Sequence, residues 1–328
     1  MTGLRFLLYP FSILYDGVTG LRNYGFDKGW INATSFEIPI IAVGNLSTGG
    51  TGKSPMVEYL VRQHAGHKTA VLSRGYGRSS KGYLEVFESS KATEVGDEPL
   101  QFKLKFRDQL IVSVCEKRVD GIKRLLEDYH LDLIILDDAF QHRYVKASHY
   151  VLLTDYSQPY FNDALLPAGN LRESKAGADR AQSIIVTKCL DGLTEAEMNS
   201  IKERIKPKDY QKVYFSKISY SDQAIGKHHE LALSSLKGKD VKVITGIAKP
   251  EYFIRFLENF ANIQHLKFPD HYNFKASDLD GLQKDDIILT TEKDYVRLKE
   301  FNLENLYYVG ITTVFIGEEP RINISGSW

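Results

Sequence analysis

The sequence predicts an α/β fold, a mostly parallel sheet with helices on both faces, followed by a second, smaller α/β unit on a two-stranded connector. Three observations predict it. Apolar runs of strand length alternate with helical patterns through the first two thirds of the chain, the order that builds a parallel sheet covered on both faces. One of those runs breaks into a glycine-rich loop and then into a helix. Near residue 212 the pattern changes to an alternating strand, after which a second α/β series begins. A chain of 328 residues exceeds one typical core and suits two domains, at 1–212 and 213–328.

The first element is Met1-Thr-Gly-Leu-Arg-Phe-Leu-Leu-Tyr-Pro-Phe-Ser-Ile-Leu-Tyr15. Its apolar part of about ten residues makes roughly 15 Å of helix, against a hydrocarbon core of about 30 Å, so it cannot span a bilayer. Asp16-Gly17-Val18 is a poor signal-peptide cleavage site. Leu14, Val18 and Leu21 recur at helical spacing, Arg5, Arg22 and Lys28 add positive charge, and Tyr9, Tyr15, Tyr24 and Trp30 suit an interface. The pattern fits a helix lying on an anionic membrane surface. It fits equally an amphipathic helix packed on the domain.

Next comes Ile38-Pro-Ile-Ile-Ala-Val-Gly-Asn-Leu-Ser-Thr-Gly-Gly-Thr-Gly-Lys-Ser54. Strand, glycine loop and helix in that order form the phosphate-cradling P-loop arrangement, and make the first domain P-loop NTPase-type. Ser47, Thr48, Gly49, Gly50, Thr51 and Gly52 would turn their amides toward an anion, helped by the dipole of the following helix. Lys53 would reach the β- and γ-phosphates and Ser54 would ligate Mg²⁺. The full pattern has glycine where this chain has Ser47.

A helix to about His64 follows, and then the strand Lys68-Thr-Ala-Val-Leu-Ser-Arg-Gly75, ending in the basic turn Ser73-Arg-Gly-Tyr-Gly-Arg78. Val95-Gly-Asp-Glu-Pro99 opens a helix, and Gln109 to Cys115 is a strand before another helix through Leu126. Asp132-Leu-Ile-Ile-Leu-Asp-Asp138 is four apolar residues closed by two aspartates. Tyr150 to Asp155 and Ser183 to Lys188 are further strands. Lys212 to Tyr220 reads as an exposed strand. Beyond it come strands at 241–245, 286–290, 306–309 and 312–316, with a helix from Glu251 to about Phe260; the 312–316 strand can pair with 212–220 as the connector.

Acidic and basic residues balance at 42 each, which argues against a nucleic-acid-binding face. The two cysteines, Cys115 and Cys189, read as buried free thiols, and no Cys/His spacing suggests zinc. Asp137 and Asp138 end a strand as a Walker B pair does and are assigned to the metal region. A kinase also needs a base for the attacking hydroxyl. Asp97 is the best-placed carboxylate, although Asp before Glu-Pro also reads as a helix N-cap. His271, in Phe268-Pro-Asp-His-Tyr-Asn-Phe274, has the same double reading. Thr187-Lys-Cys-Leu190 lacks the aspartate of a guanine-recognising element, which favours ATP over GTP.

Taken together, Val43 to Ser54, Ser73 to Arg78, Val95 to Pro99, Asp137-Asp-Ala-Phe-Gln-His142, Leu165-Leu-Pro-Ala-Gly-Asn-Leu-Arg-Glu173, Phe268 to His271 and Thr291-Glu-Lys-Asp294 resemble the tetraacyldisaccharide 4′-kinase family, in the family's order and over nearly the whole chain. The resemblance implies transfer of the ATP γ-phosphoryl group to the 4′-hydroxyl of a lipid A disaccharide 1-phosphate, by a peripheral protein on the cytoplasmic face of the bacterial inner membrane. It implies Asp97 as general base supported by His271, Lys53 and Asp138 in catalysis, and Mg²⁺ near Ser54, Asp137 and Asp138. It makes residues 1–30 a membrane-interface helix within the first domain, and it removes the anomaly at Ser47. Asn45, Arg74, Arg78, Arg118, Gln141, His142, Arg172 and Glu173 are the candidate substrate contacts, and a monomer is the expected state. Two departures remain, Ser54 where Thr is frequent and Tyr295 where a small residue is common. A soluble-substrate P-loop kinase and a non-catalytic nucleotide switch on the membrane are the rival readings.

Overall fold

The computed structural model describes residues 5–270 and 272–324; His271 lies outside the described residues. Helix α1 (Tyr9–Asp27) precedes β1 (Ile40–Asn45), and α2 (Lys53–Gln63) follows the glycine loop. Then come β2 (Thr69–Ser73), β3 (Leu84–Glu85), α3 (Ala92–Val95) and α4 (Asp97–Phe106). β4 (Ile111–Val114), α5 (Arg118–Asp128), β5 (Leu133–Leu136), β6 (His149–Asp155), β7 (Ser183–Thr187) and α6 (Glu195–Ile205) follow. The rest is β8 (Lys212–Gly226), β9 (Glu230–Ala232), β10 (Asp240–Thr245), α7 (Glu251–Leu257), β11 (Asn262–Lys267), β12 (Ile288–Thr291), α8 (Glu292–Leu298) and β13 (Leu306–Phe315).

The strands form one continuous sheet in the order β11-β10-β12-β13-β8-β7-β6-β1-β5-β2-β4-β3, with β9 on the side of β8. β1 lies between β5 and β6, parallel to both. Its side chains alternate between the two faces: Ile41 and Val43 pack with Met56, Leu60 and Val71, while Ile40 and Ala42 pack with Leu72, Ile122 and Leu136. Every residue of β1, β2, β5 and β7 is buried, as a sheet covered on both faces requires.

β8 joins the two parts. Lys212 to Phe215 pair parallel with β7, and from Ser216 onward the strand pairs antiparallel with β13. The anticipated connector pairing is present, with Thr312 opposite Ser219 and Phe315 opposite Ser216. Two expectations are corrected. The stretch 212–220 is not an exposed strand: it has neighbouring strands in the sheet, and Tyr214, Phe215 and Ser216 are buried. The strands at 306–309 and 312–316 are one strand, β13, with a register shift between Val309 and Ile311. α6 escaped the sequence reading although Thr194 and Glu197 form a reciprocal capping box. α8 escaped it too, although it is capped in a related way: the hydroxyl of its N-cap Thr291 accepts from the Asp294 amide at 3.1 Å.

α1 docks in an inverted sense. Its polar side chains face the protein: the Ser12 hydroxyl donates to the Leu165 carbonyl at 3.0 Å, the Tyr15 hydroxyl to the Arg172 carbonyl at 2.9 Å, and the Asn23 amide to Glu173 at 2.9 Å. Phe11, Ile13, Leu14, Val18 and Leu21 are 60–71% exposed. The helix is therefore not packed on the domain through its apolar face. Among the described residues no helix is long and apolar enough to cross a membrane.

A buried ionic cluster ties α2, α4, α8 and β13 together. Lys105 on α4 lies 2.6 Å from Glu58 on α2 and 2.6 Å from Glu292 on α8. Gln101 donates to Glu58 at 3.1 Å, and Glu292 accepts the Ile311 amide at 3.2 Å. Burial, with Glu58 close by, pushes Glu292 up to about 7 in spite of Lys105. Removing the cation from such a cluster strands buried carboxylates, at a cost of about 3–5 kcal/mol. Because the folded-state value of Glu292 is raised, its contribution is fully favourable below the ordinary carboxylate value of 4.5 and is lost as pH rises through about 7. Lys105→Met is expected to destabilise by about 3–5 kcal/mol at pH 8 and by less at pH 5, as read by urea denaturation. Equal losses at the two pH values would refute the assignment.

Candidate active site

β1, β5 and β2 are adjacent and parallel, so the loops at their carboxyl ends meet at one edge of the sheet, where ligands of such sheets bind. The loop after β1 is shaped by Gly49 and Gly52, at φ +107° and +82°, values that favour glycine. Three of its carbonyls are held by side chains. Gly49 accepts from Asn45 at 3.5 Å, Gly50 from Lys188, and Thr51 from the Thr187 hydroxyl at 2.8 Å. Since the C=O and the following N–H of a planar trans peptide point opposite ways, the amides of Gly50, Thr51 and Gly52 point away from these partners. α2 begins directly after them, adding its positive end. Thr187 and Lys188, set aside in the sequence for lacking a guanine-recognising aspartate, thus brace the phosphate loop.

Lys53 lies 3.8 Å from Asp138. Asp138 also accepts from Arg172 at 3.0 Å, and Arg172 in turn donates to the Asn45 carbonyl at 3.1 Å and to the Asn45 side chain. Burial works against ionisation of Asp138, but Lys53 and Arg172 outweigh it and hold the carboxyl below its usual value. Asp137 is fully buried, accepts from Ser73 at 3.0 Å and keeps its Oδ1 without a hydrogen-bond partner. Burial, with Glu98 and Asp138 nearby, pushes it up to about 7. The Ser54 hydroxyl donates to Glu98 at 3.1 Å. Glu98 was missed in the sequence, where only its neighbour Asp97 was singled out.

Asp97 is the first residue of α4, and the N-cap position belongs to Gly96. The capping reading of Asp97 is therefore set aside. Gly96 has φ +92°, and a Cβ there would meet the Gly75 Cα at 3.2 Å. The Ser73–Arg78 turn and the Val95–Pro99 turn are packed backbone to backbone, and this contact seats Asp97 at the site's edge. Arg297 of α8 grips Asp97 with two donors: Nε donates to Oδ1 at 2.9 Å and Nη2 to Oδ2. Its Nη1 donates to the Tyr272 carbonyl at 3.0 Å. Arg297, three residues after the Thr291-Glu-Lys-Asp294 motif, was not singled out from sequence. Within that motif Asp294 is buried, accepting from the Gly246 amide at 2.9 Å and from Thr291 at 2.7 Å.

The anticipated substrate contacts divide in two. Arg74 is exposed at the end of β2. His142 is held down to about 4 by burial and by Arg118, Arg22 and Arg74, and is neutral in this cationic setting. The others are held inside the fold. Arg78 is committed to Glu116 and the Gly82 carbonyl, both at 2.6 Å. Arg118 is 2% exposed and donates to the Cys115 carbonyl at 2.8 Å and the Asp137 carbonyl at 3.0 Å, bracing the aspartate pair from behind. Glu173 is buried and accepts from Gln141 at 2.9 Å, Arg180 at 2.7 Å and Asn23 at 2.9 Å. Asn45 is buried between Arg172 and Gly49. Arg78, Arg118, Glu173, Gln141 and Asn45 thus all have partners within the protein, while Arg78 Nε, Arg118 Nε and Gln141 Oε1 have none among the described residues. Both cysteines are buried and free.

The arrangement has the parts of a phosphoryl-transfer site: an amide cradle with Lys53, an aspartate pair, and a carboxylate on a neighbouring helix. The family described as tetraacyldisaccharide-1-P 4′-kinase matches residues 4–324. The chain is 44% identical to the tetraacyldisaccharide 4′-kinase of Flavobacterium johnsoniae over 99% of its own length and 97% of the relative's. It is 44% identical to that of Bacteroides fragilis, over 89% of this chain and 82% of the relative. Among solved structures, the apo form of LpxK from Aquifex aeolicus in complex with ATP superposes with a TM-score of 0.80 at 31% identity, covering 96% of each chain. Matched in sequence and in fold along nearly its whole length, this chain belongs to the tetraacyldisaccharide-1-P 4′-kinase family.

Proposed function

We propose that this chain transfers the γ-phosphoryl group of ATP to the 4′-hydroxyl of a tetraacyldisaccharide 1-phosphate in lipid A biosynthesis. The observation that carries this reading is the convergence at one sheet edge of the amide cradle with Lys53 and of Asp97, on helices joined by the Ser54–Glu98 contact. The cradle and Lys53 bind the ATP phosphates, and Arg172 and Arg74 add positive charge where negative charge builds up. Asp97 accepts the proton of the 4′-hydroxyl. The sugar oxygen bonds to the γ-phosphorus as the bond to the β–γ bridging oxygen breaks, and ADP departs with that electron pair. His271 is assigned to support Asp97 on the family resemblance alone.

Ser54, Asp137 and Asp138 are the residues assigned to Mg²⁺. The buried, unpartnered oxygen of Asp137 fits a hard cation that takes one or two carboxylates and keeps the remainder of its shell for water and phosphate. When bound, the ion neutralises charge across the β- and γ-phosphates.

The acceptor's acyl chains stay in a bilayer, so the enzyme must work at headgroup height. The outward apolar face of α1 supports a peripheral attachment, which we place on the cytoplasmic face of the bacterial inner membrane, with the protein as a monomer. Residues 1–212, including the 1–30 segment, form the nucleotide-binding domain in this reading, and 213–328 the domain that closes over it.

Incubation with ATP, Mg²⁺ and the disaccharide 1-phosphate in detergent should yield a doubly phosphorylated glycolipid; absence of that product sinks the proposal. Lys53→Ala and Asp97→Ala should each lower turnover by about 10²–10⁴-fold, the second with ATP binding retained; near-normal turnover of Asp97→Ala removes it as base. Replacing the exposed Leu14 and Val18 together by Glu should reduce sedimentation with anionic vesicles without changing the melting temperature. Undiminished sedimentation would exclude α1 as the anchor.

A further inference from the structure

The side chain of Arg297 is 8% exposed, and a buried guanidinium demands partners for its donors. Among those partners are both oxygens of Asp97, and the Tyr272 carbonyl at 3.0 Å. The first is the proposed base. The second lies in the 268–274 loop that follows β11. One planar side chain therefore binds α4, α8 and this loop at the same point. The fastening of α4 to α8 does not depend on it alone, because Lys105 and Glu292 already join the two helices. That second pair has the opposite polarity, with the cation on α4.

We propose that Arg297 is a positioning residue for phosphoryl transfer, holding the Asp97 carboxylate oriented for the acceptor hydroxyl and registering it against the Tyr272 carbonyl. This rests on Asp97 being the base. A carboxylate offers about four lone-pair directions, so a two-pronged grip that uses one on each oxygen is compatible with an approaching hydroxyl. Arginine does not deprotonate in proteins, so it cannot compete for that proton. Lysine supplies charge without the planar fork, and so should orient Asp97 poorly.

Kinetics of Arg297→Gln, Arg297→Lys, Asp97→Asn and the Asp97→Asn/Arg297→Gln double variant test this, using labelled ATP and the disaccharide 1-phosphate in detergent. Arg297→Gln should lower kcat roughly a hundredfold, the scale of a misplaced reacting group, with KM for ATP within about threefold of the parent. Arg297→Lys should recover only part of the loss. In the Asp97→Asn background the same change should cost less than about twofold, because a residue acting through another loses its effect when that other is gone. Near-normal kcat in Arg297→Gln, or a double variant in which the two losses multiply, overturns the proposal. Should Arg297→Gln fail to fold, Arg297→Lys decides: reduced kcat with ATP binding unchanged supports the proposal, and unchanged kcat overturns it. Failure of the base assignment reads out separately, as near-normal turnover in Asp97→Asn alone.

Discussion

The two parts of this protein are held in register by charges on α4 that the other helices complete. At one end of α4, Lys105 sits between the buried carboxylates of Glu58 and Glu292; at the other, Asp97 receives the fork of Arg297. Burying such groups is unfavourable unless each finds its partner. The stable arrangement is then one in which α2, α4 and α8 sit at fixed distances. α2 carries Lys53 at its start and α4 the proposed base, so the ionic wiring that joins the parts also sets the distance between those two groups.

The site itself follows a single electrostatic logic. Lys53, Arg172, Arg118 and the start of α2 place positive charge around the two aspartates. Asp138 answers by staying ionised, while Asp137, enclosed beside Glu98, is pushed the other way.

The orientation of α1 turns an ordinary amphipathic pattern inside out. Hydroxyl and amide groups supply its attachment to the 165–173 loop, so Phe11, Leu14, Val18 and Leu21 remain on the outside. A helix attached in this way leaves its hydrophobic free energy unused in folding and available for an interface. Its polar side lies against the loop that supplies Arg172.

Much was determined by sequence alone. The strand, glycine loop and helix from Ile38 to Ser54, the aspartate pair at a strand end and the alternation of strands with helices are local patterns with short-range physical causes, and each stands where the residues placed it. The connector pairing of 212–220 with 312–316 was legible too, though not its burial, because alternation reveals a strand but not how many neighbours cover it. Tertiary structure alone decided which charges are available. Arg78, Arg118 and Glu173 have partners, Glu116, the Asp137 carbonyl and Gln141, that no local pattern announces, whereas Lys105 and Arg297 look like surface charges and form the core of the wiring. The reason is that an ion pair depends on what lies within a few ångströms in space, and only folding brings residues 97 and 297 together.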